Sequence, residues 1–327
     1  FSGLVKIREL GIILALVLLV AYTAASNPRF LSGQSIRDIL LGTAILAVLA
    51  VGQAIVMITR NIDLSVGSVL GLSAFAVGTL MKDNPGLPVI AAILVGLAVG
   101  AVCGLVNGAL VRFGQVPALV VTLGTLYAFR GLAFLWTSGR QVNAETLPDS
   151  FLNLGTGSVL GIPALTLIAL VVVLVVGQAL RDFRPGRELY AIGSNPEGAR
   201  LAGVRSDRRV LTAFILSGAL AGLAGVLFTA RFGTVDATAG TGYELTVIAA
   251  AVVGGVAIFG GVGSVYGAAL GALLLGTITS SLIVLKVEAF WQQAAIGALL
   301  LAAIAFDRLV GLRVEAALRR RSARRAG

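Results

Sequence analysis

The chain has 327 residues, of which 57% are hydrophobic and only 12% charged, with a net charge of +10. A soluble domain carries about 25% charged residues, so a mean hydropathy of +0.99 excludes an ordinary water-soluble fold and indicates an all-α polytopic membrane protein. Histidine is absent and Cys103 is the single cysteine, which removes the usual metal ligand and neutral-pH proton shuttle and any intrachain disulfide.

Apolar runs near 20 residues, each long enough to cross a bilayer, predict about ten spans: 10–26, 37–59, 62–81, 88–112, 117–137, 159–181, 209–230, 244–260, 263–285 and 289–307. The first follows Lys6 and Arg8 and ends in Thr23, Ala24 and Ala25, as a cleavable signal does; an even number of spans fits the charges better, so it reads as a retained anchor. With both termini inside, 18 of the 25 basic residues fall on the cytoplasmic side, as the positive-inside rule requires. Arg130 is then deep for an outside loop, which predicts that the fifth span is broken or tilted near it. Gly96, Gly100, Gly104 and Gly108 recur every fourth residue along the fourth span. Gly218 and Gly222 do so in the seventh, and Gly263, Gly267 and Gly271 open the ninth. Such ridges let helix backbones approach closely in lipid. The pattern GSV-x-G occurs at Gly67–Gly71 and again at Gly263–Gly267, each opening a span after a cytoplasmic turn, a trace of an internal repeat. The tail from Arg308, with RRRSARR at Arg319–Arg325, follows a span directly and suits anionic lipid headgroups rather than nucleic acid.

The chemistry that is missing narrows the function. The lysines are Lys6, Lys82 and Lys286, and none sits in a G-x-x-x-x-G-K-[ST] loop, so the chain carries no Walker-type nucleotide site. Asp63, Glu244 and Glu288 fall near predicted span ends, leaving no acid at mid-membrane of the kind an ion-coupled carrier uses. No catalytic constellation is present. A passage protein powered by another chain, or a passive channel, remains.

One polar stretch interrupts the apolar pattern: YAIGSNPEGARLAGVRSDRR, Tyr190 to Arg209. Ser194 with Glu197 forms an S-x-x-E capping box, Pro196 occupies the first turn and Gly203 supplies a left-handed stop. These predict a helix of about two turns over 195–202, too short to be stable alone and therefore docked on something. By the charge argument it is cytoplasmic.

Within that stretch, AIGSNPEGARLAGV (Ala191–Val204) resembles the coupling loop of ribose-type ABC importer permeases, whose pattern is close to G-x-N-x-x-A-A-x-x-x-G-[IV]; Gly193, Asn195, Ala199, Gly203 and Val204 match it and Gly198 replaces one alanine. RNIDLSVGSVLGL (Arg60–Leu72), VPALVVTLGTLYAFRGLAFLWTSG (Val116–Gly139) and TGYELTVIAAAVVGGVAIFGGVGSVYGAALGA (Thr241–Ala272) resemble further motifs of that family, in the same order. The segments GTLYAFRGLAFLWTSGR and LKVEAFWQQAAIGALLLAAIAFD look closest to permeases for autoinducer-2 and rhamnose.

The resemblance implies one transmembrane permease domain over 1–327, of ABC importer permease fold, with a coupling loop at about 182–208 and a basic tail at 308–327. It implies a second permease subunit, a cytoplasmic ABC ATPase that uses ATP and Mg, and an extracytoplasmic sugar-binding protein. The chain itself would bind no cofactor or metal, carry no catalytic residue, and lie in the bacterial cytoplasmic membrane. Gly193, Ser194, Asn195, Pro196, Glu197, Gly198, Ala199, Arg200, Leu201, Ala202 and Gly203 would form the coupling element. Arg60, Asn61 and Asp63 form a polar cytoplasmic turn, with Asp63 capping the third span near Ser65 and contact with substrate as its alternative role. Glu244 heads the eighth span and calls for a structural partner. Gln53, Asn107, Thr122, Thr125, Tyr127 and Thr246 are the weakly polar candidates for a substrate path, with interhelical hydrogen bonds as the alternative role. The cargo expected is a monosaccharide or sugar-like molecule such as rhamnose, autoinducer-2 or ribose; a permease for branched-chain amino acids or another small polar solute is the alternative.

Overall fold

A computed structural model describes residues 2–288 continuously, then residues 290, 291, 293–295, 297, 298, 301, 302 and 305, with side chains from Leu10 onward. The tenth predicted span at 289–307, apart from those scattered positions, and the basic tail at 308–327 lie outside the described residues.

In chain order the helices are α1 (Ser2–Ser26), α2 (Gly33–Ile58), α3 (Val66–Asp83), α4 (Val89–Gly114), α5 (Ala118–Thr137), α6 (Asp149–Thr156), α7 (Ala164–Asp182), α8 (Arg184–Ser194), α9 (Pro196–Leu201), α10 (Ser206–Phe232), α11 (Tyr243–Val253) and α12 (Val265–Val284). A two-residue-per-strand antiparallel hairpin, β1 (Ser158–Val159) and β2 (Ile162–Pro163), joins α6 to α7. Among the described residues six helices are long and apolar enough to cross a membrane: α2, α4, α5, α7, α10 and α12.

Helix α2 is the hub. Every residue from Ala44 to Ile58 is buried, and α10, α12, α7 and α11 all pack on it. A helix apolar on all sides belongs inside a bundle. By contrast α4, α5 and α7 are buried on one narrow face, and their Leu94, Leu123 and Leu174 point outward, as helices facing lipid do. The glycine ridges predicted for the fourth and seventh spans meet each other. A Cβ added at Gly96 would collide with Val226, and one at Gly100 or Gly104 with the carbonyl of Gly218 or Phe214. Backbone thus packs on backbone along the whole α4–α10 contact. Gly271 repeats the device against the carbonyl of Ala250, joining α12 to α11.

Two sequence expectations change. The eighth span, predicted at 244–260, stops as a helix at Val253, where Gly254 and Gly255 (φ +87°) turn the chain out of it. Its 11 residues rise about 16 Å, half of a hydrocarbon core, and an irregular segment at 254–264 leads into α12. The fifth span is unbroken, because Arg130 is accommodated inside the helix: it faces Glu244 at 3.8 Å and donates to the carbonyls of Ala237 and Ala239 at 2.9 and 2.6 Å. Glu244, at the head of α11 as expected, therefore has the structural partner it calls for. Both GSV-x-G copies open helices, α3 and α12, directly after non-helical stretches.

Candidate coupling element and solute cavity

The polar stretch folds as two helices in series. Asn195 (φ −152°) ends α8 and begins α9, and its side-chain oxygen accepts from Gly198 N at 2.9 Å. The cap is thus Asn195 rather than Ser194, which closes α8 instead. The shift by one residue follows from Pro196: a proline restricts its predecessor to extended backbone, and only Asn195 is extended there. Gly203 (φ +80°) ends the unit, with Val204 N donating to Ala199 O at 3.0 Å. Ala199 is buried, whereas Pro196, Glu197, Arg200 and Leu201 line a concavity and face out; Leu201 is 85% exposed.

The element is tied down at one node. Arg60 follows the end of α2 in the left-handed region (φ +66°) and donates from Nε to Gly193 O at 2.5 Å and from Nη2 to Ser194 O at 2.9 Å. A guanidinium on the last carbonyls of α8 also complements that helix end electrostatically. Gly261 N, from the 254–264 segment, donates to Ile58 O at 2.9 Å. A Cβ at Gly193 would overlap both Ile58 O and Gly261 N, so this contact requires glycine. Tyr190 Oη donates to Gly263 O at 3.1 Å. Glu188 bridges Arg184 of its own helix and Arg209 of α10, and the Arg209 hydrogen bond, with help from Arg184, holds its carboxyl below the usual carboxylate range. Three parts of the chain, the end of α2, the α8–α9 junction and the segment before α12, meet within hydrogen-bond reach. Residues 60 and 193 are too far apart in sequence for spacing to have linked them.

The turn at 59–65 is clamped from below and behind. Asp63 is buried, and its Oδ1 accepts from Ser65 N at 2.9 Å and from Ser65 Oγ at 2.7 Å. Asn107 donates to Ser65 Oγ at 2.8 Å, and Thr122 donates to Ile62 O at 3.1 Å. Asn61 donates to Thr59. Thr125 donates within α5 to Thr122 O at 3.4 Å. Asn107, Thr122 and Thr125 are thus buried in helix contacts around this turn, and Tyr127 is 69% exposed on the outer side of α5.

The remaining two of the six candidates belong elsewhere. Thr246 lines a cavity of about 700 Å³ bounded by α2, α11, α12 and the end of α10. Its polar lining includes Asp38, Arg231, Tyr243, Thr279 and Ser280, which the sequence reading did not single out. Gln53 is fully buried and both of its amide atoms lack a partner. On α2 it shares a face with Ile39, Gly42 and Leu46 of the cavity wall, since steps of 3, 4 and 7 residues return to one helix face.

A family model described as branched-chain amino acid transport system / permease component matches residues 35–304, which spans α2 through α12. The chain belongs to this permease family. It is therefore a multi-pass transport subunit of the cytoplasmic membrane. The permease is 40% identical over 313 residues to a protein of Salmonella choleraesuis (strain SC-B67) described as "Autoinducer 2 import system permease protein LsrC", covering 96% of this chain and 89% of that one. Relatives with the same description occur in Enterobacter sp. (strain 638), at 41% identity over 304 residues with 93% and 88% covered, and in Escherichia coli (strain K12 / DH10B), at 39% over 313 residues with 96% and 90% covered. No solved structure matches the permease significantly.

Proposed function

We propose that this permease imports a sugar-like solute of the autoinducer-2 type, driven by ATP hydrolysis on a separate ATPase. Its relatives are described as autoinducer 2 import permeases over nearly their whole length, and the motif at Arg60–Leu72 supports the sugar class. A binding protein delivers the solute outside, a second permease subunit completes the membrane part, and the ATPase with its Mg and ATP docks beneath. The full topology is ten spans with both termini inside. The coupling element is Gly193–Gly203, with Pro196, Glu197, Arg200 and Leu201, which line a concavity and face outward, as its docking face.

The observation that carries the ATP-driven reading is the Arg60 node. It ties the only short cytoplasmic helix pair among the described residues to α2, the helix that walls the cavity. A movement of α9 cannot leave α2 unmoved while those bonds hold.

A second reading, import of branched-chain amino acids, is favoured by the description of the matching family model. Uptake into proteoliposomes holding the permease, its ATPase and its binding protein separates the two. Autoinducer-2, rhamnose, ribose, xylose and galactose are offered beside leucine and valine. Accumulation of one of the sugar-like solutes that requires both ATP and the binding protein is the expected result. Accumulation of leucine alone would move the permease to the second reading, and flux without any partner would sink the ATP-driven one.

A further inference from the structure

Asp63 is the one buried charged side chain among the described residues, at 1% exposure. No arginine or lysine nitrogen lies within 4.0 Å of its carboxyl among those residues. Its hydrogen bonds form a short chain of fixed direction. Asn107 Nδ2 donates to Ser65 Oγ at 2.8 Å, and Ser65 Oγ spends its single proton on Asp63 Oδ1 at 2.7 Å. Ser65 N donates to the same oxygen at 2.9 Å. Ser217 of α10 stands beside the carboxyl. Its Oγ, like Asn107 Oδ1, is buried without a hydrogen-bond partner.

The surroundings supply no counter-charge. Arg60, on the same turn, is engaged with the α8 carbonyls. The last turn of α2 and the first turn of α3 are uncharged. Helix α4 presents Asn107 and the thiol of Cys103, α10 presents Ser217, and α5 sends Thr122 to Ile62 O. Space is equally short. A Cβ at Gly104 of α4 would collide with Phe214 O of α10, and one at Gly52 of α2 would come within 3.2 Å of Ser217 Cα. A carboxylate keeps its charge in such a place only at a large cost, and neutralising it is the cheaper course. Among cations, a proton is the one that needs no room.

We infer that Asp63 is a proton-binding site, so that a neutral carboxyl fastens the turn between α2 and α3 to α4 and α10. The proton sits on Oδ2 and supplies the donor that Ser217 Oγ lacks, while Oδ1 continues to accept from Ser65. The proton stays in place during transport; its role is to hold the turn shut. Opening the turn to water lets the carboxyl ionise, so the latch weakens as pH rises above the ordinary aspartate value of about 3.9. Arg60 shares this turn, so the same proton steadies the node that holds α8.

Asp63→Asn tests the charge state, because asparagine copies the neutral acid with Nδ2–H in place of Oδ2–H. The full chain is purified in an ester-free detergent, with Cys103→Ala in both the parent and the variant so that no other titrating group acts on the carboxyl. Thermal unfolding midpoints are then compared from pH 5 to pH 8. Unfolding of the parent releases a proton from Asp63, so its stability falls as pH rises toward the value at which the buried carboxyl itself ionises. Asp63→Asn releases none. The midpoint of the variant minus that of the parent is therefore expected to grow with pH. A difference that stays flat or shrinks would mean an ionised Asp63 and would overturn the site. Infrared difference spectra at pH 7 give a second readout. The carbonyl stretch of a protonated carboxyl is expected in the parent and not in Asp63→Asn. No such band in the parent would overturn the site even if the variant failed to fold, and so would a band that persists in the variant.

Discussion

The two ends of α2 are built on opposite principles. At its C-terminal end the chain is over-determined: Arg60 reaches two carbonyls, Gly261 takes a third, and Gly193 leaves no room for even a methyl group. At its other end the same helix lines a cavity of about 700 Å³ whose wall includes the exposed Asp38 and the half-buried Arg231. One buried helix thus has a closed end, held by hydrogen bonds from distant parts of the chain, and an open end that lines a cavity.

The largest effect should come from breaking the closed end sterically. Gly193→Val places side-chain atoms where Ile58 O and Gly261 N now lie, and overpacking of this kind costs about 1–3 kcal/mol or more. Uptake should be abolished. Because the junction is also structural, assembly with the ATPase is measured alongside by co-purification. Retained uptake would mean that the node is not under load.

Arg60 offers a finer cut. Its left-handed backbone costs about 1–3 kcal/mol in a non-glycine residue. Arg60→Gly therefore relieves strain while removing both bonds to the α8 carbonyls. The variant should fold and assemble normally, and hydrolyse ATP, yet import about tenfold less solute per ATP, the scale of losing charge-assisted hydrogen bonds. Arg60→Lys should recover only part of the ratio, since an ammonium cannot span two carbonyls as a planar fork does. An unchanged ratio in Arg60→Gly would show that the element moves without α2.

At the open end, steric filling should have a milder effect. Gly42→Ala brings a methyl to 3.2 Å from the Arg231 Nη1 position, so the guanidinium must give way by a few tenths of an ångström. Uptake should fall about two- to threefold, with the ratio of ATP to binding-protein stimulation intact, on the scale of a weakened hydrogen bond. A tenfold loss here would show that the Arg231–Gly42 contact holds α10 against α2.

What could be read in advance divides along physical lines. Local rules carried far. The apolar runs at 37–59, 88–112 and 117–137 fell on α2, α4 and α5 because hydrocarbon thickness fixes length. The glycine ridges at Gly96–Gly108 and Gly218–Gly222 met because backbone approach needs them on both partners. Non-local relations were invisible. Arg60 and Gly193 are 133 residues apart, and no spacing rule joins a helix end to a distant loop. Arg130 and Glu244 looked like separate anomalies, and each explains the other. The cavity was missed except for Thr246, because Asp38 and Arg231 lie near span ends and resemble interfacial charge in a linear reading. Gly254–Gly255 inside an apolar run was the visible sign that 244–260 would not be one helix.

The smallest expected effect concerns Glu188, which joins α8 to α10 through Arg209 and also meets Arg184. Its carboxyl is held below the ordinary range, chiefly by the Arg209 hydrogen bond. A depressed folded-state pKa contributes stability that is present above the unfolded value of about 4.3 and is lost only as pH falls through the lower folded value. The Glu188 tie is therefore intact across the whole range from pH 7 to pH 5. Solute imported per ATP should not change over that interval on its account. Arg184 is largely exposed and the pair is partly screened, so Glu188→Gln should lower the ratio by about twofold at most, equally at both pH values. If the wild type instead fell to the Glu188→Gln level at pH 5, the carboxyl would be titrating above the ordinary glutamate range and Arg209 would not be holding it. The junction would then be fastened by Arg60, the Tyr190–Gly263 hydrogen bond and the glycine contacts, with no ionic tie from α8 to α10.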